Sequence, residues 1–115
     1  MNRAEIQGMW LDAYRRLGEE EAARVRDSQS VSFELLELYD RLAEPEKEHV
    51  HCILEEWIVS EDNKKRYDAS FIISLRKIRS LKPAVERAIM KFVGQPGPEA
   101  HFEVEDLRKM ARELS

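Results

Sequence analysis

The chain has 115 residues, which is enough for one ordinary domain with a buried core and too few for two. Hydrophobic residues make up 43% and charged residues 37% of it, which is typical of a globular protein with a heavily charged surface. No apolar run approaches the roughly 20 residues of a membrane span, and the opening residues lack the apolar core of a signal peptide. The single cysteine, Cys52, excludes an internal disulfide and a CxxC motif, so we expect a cytoplasmic protein.

Charge is spread unevenly along the chain, although the net charge is only −4. Residues 33–62 carry ten acidic side chains against two basic ones, a balance of −8. Residues 63–95 carry nine basic side chains against two acidic ones, a balance of +7. Segments of opposite charge attract each other as well as outside partners.

Helical periodicity predicts about six helices in chain order, and no stretch alternates as a strand would. The first helix is predicted over residues 3–17, with Gly18 as its C-terminal stop. For the acid-rich segment after Gly18, the sequence permits two predictions, a further helical turn or a connector. Ser30 or Ser32 can cap the second helix, which carries Phe33 and ends near Leu42.

Pro45 fits the first turn of the third helix, where no backbone N–H is needed, and that helix ends near Ser60. Its predicted buried residues are Val50, Ile53, Leu54, Trp57 and Ile58. Asp62 can cap the fourth helix, which ends among the cations of residues 76–79. The predicted apolar stripe of the fourth helix is Tyr67, Phe71, Ile72, Leu75 and Ile78.

Pro83 lies in the first turn of the predicted fifth helix, and Gly94 stops it. Its predicted inner residues are Val85, Ala88, Ile89, Phe92 and Val93. The last helix is predicted over about residues 103–114. It is expected to bury Leu107, Met110, Ala111 and Leu114.

A weak internal repeat divides the middle of the chain. A shift of 35 or 36 residues superimposes the apolar positions of residues 30–60 on those of residues 62–94. We therefore predict a single helical domain, residues 1–115, that holds two helix pairs. Its predicted parts are an N-terminal helix and connector (1–29), a first helix pair (30–60), a second helix pair (62–94) and a C-terminal helix (101–115).

The best-patterned segment, residues 64–93, resembles a HEAT-type helical repeat. The matching residues are Arg66, Ala69, Leu75, Ile78, Pro83, Ala84 and Val85. The earlier segment has the matching proline, Pro45, but no alanine after it and no Arg/Ala pair near Phe33. The resemblance implies an all-α superhelix of stacked antiparallel pairs that acts as a binding surface. By analogy, short bacterial proteins of this kind include immunity proteins that neutralise a toxin.

Residues 48–56 hold the densest group of metal-ligating side chains. His49 with Cys52, and His51 with Glu55, have helix-face spacing, but the two pairs lie on different faces and neither supplies three ligands. The alternatives are a metal site completed by a distant residue such as His101 and a polar helix surface. The many carboxylates mark no acid–base pair, and the sequence has neither a serine-nucleophile elbow nor a phosphate loop. We expect no enzyme, no metal and no cofactor.

The cations of residues 64–91 have three interpretations. They can rim the apolar stripe and pair with the acidic segment, contact an acidic protein surface, or bind nucleic acid. Lys64 to Arg66 and Arg76 to Arg79 lie at opposite ends of the fourth helix, about 15–18 Å apart at 1.5 Å per residue. This separation weakens the nucleic-acid alternative, because phosphate binding needs a continuous basic face.

The outer faces of the third and fifth helices form the predicted partner surface. If the helix pairs stack, these second helices line one shared face. We expect a protein partner there. The predicted contact residues are Glu48, His51, Glu55, Glu56, Arg87 and Lys91. The face mixes acids and bases, which favours selectivity for one partner and orientation. The sequence thus predicts a small cytoplasmic inhibitor such as an immunity protein, or alternatively a nucleic-acid-binding module.

Overall fold

The computed structural model describes the backbone of residues 2–24 and 29–115 and the side chains of residues 2–19, 31–97, 100 and 103–115. Over these ranges the chain forms six α-helices, one short 3-10 helix and no strand. The helices are α1 (Arg3–Arg24), α2 (Gln29–Arg41), α3 (Glu44–Ile58), α4 (Asn63–Arg76), α5 (Lys82–Phe92) and α6 (Pro98–Glu113). The prediction of an all-α fold with about six helices is confirmed for the described residues.

Helix α1 is longer than predicted, because it continues through Gly18 to Arg24. A glycine in a helix interior costs only about 1 kcal/mol relative to alanine. The residues after it are glutamates, alanines and an arginine, which all favour the helix, so the predicted stop was wrong. The end of the predicted connector, residues 25–28, lies outside the described residues.

The predicted caps of α2 were also wrong, because the helix begins at Gln29 and both Ser30 and Ser32 lie inside it. The side chain of Ser32 is fully buried. A hydroxyl at that position sits on the inner face of the helix and is not available as an end cap. Phe33, counted among the apolar residues of this helix, is 54% exposed.

Helix α3 follows its prediction closely. Pro45 occupies its first turn, and the five predicted apolar residues are all buried. The chain divides into two compact units, residues 1–53 and 54–115, and α3 runs across that division. The predicted boundaries of the helix pairs and the HEAT-type stacking stay predictions.

Helix α4 begins as predicted, because one Asp62 carboxylate oxygen accepts hydrogen bonds from the backbone N–H groups of Lys64 at 2.9 Å and Lys65 at 3.3 Å. The predicted apolar stripe is correct only in part. Ile72 and Ile78 are buried, but Tyr67 is 42% and Leu75 50% exposed and Phe71 is half-buried. The side of α4 that enters the core instead carries Arg66, Asp68, Ala69, Ile72 and Ile73.

The ends of α4, α5 and α6 position the rest of the second unit. Lys77 closes α4 in the left-handed conformation, with φ 48°, and its N–H reaches carbonyls of the last turn. Pro83 lies in the first turn of α5, as predicted. Helix α6 begins at Pro98, earlier than predicted, directly after Gly97 with φ 107°. Its four predicted apolar residues are buried, and Val104 joins them.

Candidate functional site

The part of the predicted partner surface that lies in the second unit contains ion pairs. An Arg87 guanidinium N–H donates to a Glu55 carboxylate oxygen at 2.6 Å, which joins α5 to the end of α3. Both side chains are about half exposed, Arg87 at 54% and Glu55 at 49%. Glu56, beside Glu55, is also exposed. The structure therefore brings Glu55 and Arg87 together as a solvent-facing pair.

Lys91, one turn after Arg87, is likewise engaged. Its ammonium lies 3.0 Å from a Glu61 carboxylate oxygen, donates to the Val59 carbonyl and sits 5.3 Å from the centre of the Phe92 ring. Met90, between the two cations in sequence, is 76% exposed. The basic half of the predicted surface thus neutralises acids of its own chain around an exposed methionine.

Glu48 and His51 belong to the other compact unit. Glu48 is exposed, whereas the His51 ring is half-buried, stacks on Tyr39 and lies with its Nε2 at 2.8 Å from the Tyr39 hydroxyl. Burial lowers the pKa of His51 below its ordinary value of 6.5, with Lys47 acting in the same direction. Glu48 and Glu44 raise the pKa, but their effect is smaller than that of burial. His51 is therefore placed to join α2 to α3 as a neutral ring.

The possible metal ligands of residues 48–56 do not converge among the described side chains. In that part of the chain no group of three or more His, Cys, Asp or Glu residues is arranged to hold a metal ion. Cys52 is half-buried, and its thiol donates to the Glu48 carbonyl at 3.7 Å. The side chain of His101 lies outside the described residues.

Arg66 is the most deeply placed cation of the basic segment, at 6% exposure. Its guanidinium donates to both carboxylate oxygens of Glu103, at 2.5 and 3.2 Å, and also to the Ser60 carbonyl and the Asn63 side chain. It lies 4.5 Å from the centre of the Phe92 ring. This residue joins α4 to α5 and α6, so it serves the structure of the second unit and is not available to a ligand.

Other cations of the segment are also committed. Lys82 donates to the Ser115 hydroxyl, and Arg87 and Lys91 form the pairs described above. Lys77 and Arg79 are exposed near the end of α4. The cations of residues 64–91 therefore do not present one unpaired basic face.

A second surface, which the sequence interpretation missed, is an open groove between α4 and α6 with a volume of about 700 Å³. We call it the α4–α6 groove. Helix α4 lines it with Asn63, Tyr67, Ser70, Phe71, Ser74 and Leu75. Helix α6 lines it with Glu103, Asp106, Leu107 and Met110. Tyr67 and Phe71 stack along it, with ring centres 6.4 Å apart.

Two contacts orient the groove. Arg66, in the first turn of α4, holds Glu103 near the start of α6. The Lys82 ammonium, six residues after the end of α4, donates a hydrogen bond to the Ser115 hydroxyl, just beyond the end of α6. Helices α4 and α6 therefore run in the same general direction. Of the two acids of the groove, Glu103 lies in the first half of α6 and Asp106 at its middle.

No protein-family model, curated protein or solved structure matches this chain. Within the described residues, no helix combines the length and the hydrophobicity that crossing a bilayer requires.

The sequence does contain a signal for the groove. Successive positions on one side of α4, residues 67, 70, 71, 74 and 75, hold aromatic, aliphatic and serine side chains and no charge. In a chain with 37% charged residues, the solvent side of a helix is expected to carry charges. An uncharged face opposite a buried face marks a helix that is apolar on two sides.

Proposed function

We propose that this chain is a non-enzymatic, cytoplasmic protein-binding module, and specifically a small inhibitor such as an immunity protein that neutralises a partner toxin. The observation that carries the proposal is the open apolar groove on an otherwise heavily charged protein. Concave surfaces lined mainly by apolar side chains commonly mark places where another molecule binds. A protein partner fits it because the groove is long and open and does not enclose a small cavity.

The lining of the groove favours binding over chemistry. Its side chains are aromatic, aliphatic, hydroxyl, amide and carboxyl groups, and the Glu103 carboxylate is already held by Arg66. Acid–base catalysis needs two titratable groups with separated pKa values facing one cleft, and Glu103 in this ion pair is poorly suited to that role.

The HEAT-type resemblance of residues 64–93 agrees with this proposal, since such helical layers usually serve as binding surfaces. The mixed surface around Glu55, Glu56, Arg87 and Lys91 is a second place of contact. Exposed ion pairs such as Glu55–Arg87 contribute little to stability, and at a contact surface such charges mainly set orientation and partner choice. The intramolecular engagement of Arg87 and Lys91 supports protein binding over the nucleic-acid alternative.

Affinity capture with the full-length chain tests the proposal. The tagged chain is added to a nuclease-treated lysate of the source organism, and bound proteins are quantified by mass spectrometry. We expect one protein to be retained in near-equimolar amount, and we expect the purified chain to block that protein's activity. Retention of no protein from this lysate, or retention only from a lysate that has not been treated with nuclease, would contradict the proposal.

A charge-swap series tests the surface around Glu55 and Arg87. Arg87→Glu leaves two acids facing each other, whereas the double variant Glu55→Arg with Arg87→Glu restores an ion pair with its direction reversed. If the partner contacts these two charges, both variants should retain less partner protein than the wild type. If only the single variant is impaired, the pair serves the fold and this surface makes no contact.

A further inference from the structure

We propose that the α4–α6 groove accepts one amphipathic helix of the partner protein, with an apolar row on the groove floor and a lysine or arginine beside Asp106. This inference rests on the proposed function, because it names the chemistry that the partner presents. It assigns the site to a surface on which no sequence-predicted contact residue lies.

The length of the groove matches a short helix. Its lining residues on α4 run from Asn63 to Leu75, which spans about 18 Å at 1.5 Å per residue. A helix of about 12 residues covers the same distance and presents three or four apolar side chains on one face. The apolar floor of Tyr67, Phe71, Leu107 and Met110 offers a continuous surface for such a row.

The exposure of the groove argues against a small-molecule ligand. Tyr67 and Leu75 keep 42% and 50% of their surface in solvent. Small-molecule sites usually bury about 70–90% of the ligand, which an open trough does not provide. A helix laid along the trough covers both exposed side chains and keeps its own polar face in water.

The charge of the groove selects a basic partner helix. Among its described lining residues, the charged ones are Glu103 and Asp106, and both are acids. Glu103 is paired with Arg66, whereas Asp106 is exposed and no described cation forms an ion pair with it. A lysine or arginine flanking the apolar row would pair with Asp106 at the rim, where charges mainly set orientation and partner choice.

A second copy of this chain is the competing occupant. Its exposed Met90 lies on α5 between Arg87 and Lys91 in sequence, and its exposed Val93 is the residue that caps the end of that helix. Those two cations are already paired with acids of their own chain, so they are poorly suited to face Asp106. A single contact of α5 with the groove would also join two different surfaces head to tail, and contacts of that kind form a ring or an open chain of copies.

Fluorescence anisotropy with designed peptides tests the inference. The probe is a labelled, side-chain-stapled helix of about 12 residues with a leucine row flanked by lysines, and its twin carries glutamates in place of the lysines. We expect the full-length chain to bind the basic peptide at least about tenfold more tightly than the acidic twin. Asp106→Lys should reverse this preference, a result that nonspecific apolar binding would not give.

Two leucine variants provide the matched control. Leu75→Lys places a cation in the groove, whereas Leu11→Lys makes the same change at a leucine of similar exposure, 46% against 50%. Basic-peptide binding should fall at least about tenfold in Leu75→Lys and stay unchanged in Leu11→Lys, with circular dichroism showing both variants folded. Equal binding by the two variants, or no preference between the peptides, would overturn the inference.

The oligomeric state and the capture experiment separate the remaining outcomes. A concentration-dependent self-association that Leu75→Lys abolishes would show that a second copy occupies the groove, and it would overturn the proposed partner helix. If a partner is captured but neither peptide binds, the groove inference fails and the proposed function stands. If the basic peptide binds but no partner is captured, the proposed function fails.

Discussion

At the scale of single residues, Arg66 shows how a cation that looks like a ligand contact can serve the core. The sequence places it in a run of cations, where it is indistinguishable from surface residues except for its match to the HEAT-type pattern. In the structure it is buried against the Phe92 ring and bonds the Glu103 carboxylate. Helix periodicity alone could not predict this, because the partners come from α5 and α6.

Arg66→Ala should lower the free energy of unfolding by about 2–3 kcal/mol, since it removes several charge-assisted hydrogen bonds at a buried position. Arg66→Lys should recover part of this loss, because lysine keeps the positive charge but lacks the planar guanidinium that bonds both oxygens of a carboxylate. Urea unfolding monitored by circular dichroism measures both changes.

Arg108→Ala is the matched control for Arg66. The Arg108–Glu105 pair is 2.9 Å long, but its side chains are 45% and 49% exposed, so its loss should cost less than about 1 kcal/mol. Equal effects of Arg66→Ala and Arg108→Ala would show that Arg66 is not the interior link described here.

His51 is the residue whose titration should be visible in stability. Its folded-state pKa is lowered by burial, so below about pH 6.5 the unfolded chain binds more protons than the folded one. The contribution of neutral His51 is therefore fully present above about pH 6.5 and is lost as the pH falls toward the folded pKa. The free energy of unfolding, measured with urea, should fall between about pH 7.5 and about pH 5.5 in the wild type. It should fall less in His51→Gln.

His49→Gln is the control for His51, because it removes a neighbouring half-buried histidine on the same helix. The loss of stability at low pH that is assigned to His51 should remain in this variant, because the burial of His51 is unchanged. If His49→Gln and His51→Gln have the same pH profile, the burial of His51 does not govern the dependence of stability on pH.

At the scale of elements, α4 explains why its buried face was predicted only in part. The helix carries apolar residues on both sides, so periodicity permits two stripes. The spacing of Tyr67, Phe71 and Leu75 favoured the wrong one, because the true inner face includes the polar residues Arg66 and Asp68. Helices α3 and α6 have a single apolar face, and their buried residues follow from sequence.

Lysine substitutions on the two sides of α4 test this assignment. Ile72 is fully buried, so Ile72→Lys should cost several kcal/mol, about enough to prevent folding of a marginally stable domain. Leu75 is 50% exposed, so Leu75→Lys should change the free energy of unfolding by less than about 1 kcal/mol. Similar unfolding midpoints for the two variants would mean that the faces of α4 are assigned wrongly.

Helix ends were less predictable than helix interiors. Asp62 was correctly identified as a cap because its side chain has no competing role and the helix follows at once. Gly18 and Ser32 carry equally good local signals, yet each lies inside a helix. A local signal of about 1 kcal/mol is overridden when the surrounding residues favour the helix or when burial requires it.

At the scale of the whole molecule, the acidic segment and the basic segment of the sequence form ion pairs with each other. The pairs Arg87–Glu55 and Lys91–Glu61 join the basic segment of residues 63–95 to the acidic segment of residues 33–62. The sequence predicted that such pairing could occur, although it could not predict the pairs. The groove was not predicted, because it depends on the way α4 and α6 lie beside each other.

This chain is proposed to bind a partner protein through the α4–α6 groove. Capture from the native lysate by the wild type, Leu75→Lys and Leu11→Lys, compared side by side, tests it most directly. We predict that the wild type and Leu11→Lys retain the same protein in near-equimolar amount and that folded Leu75→Lys does not retain it. Equal retention by all three chains, or retention by none, would contradict the claim.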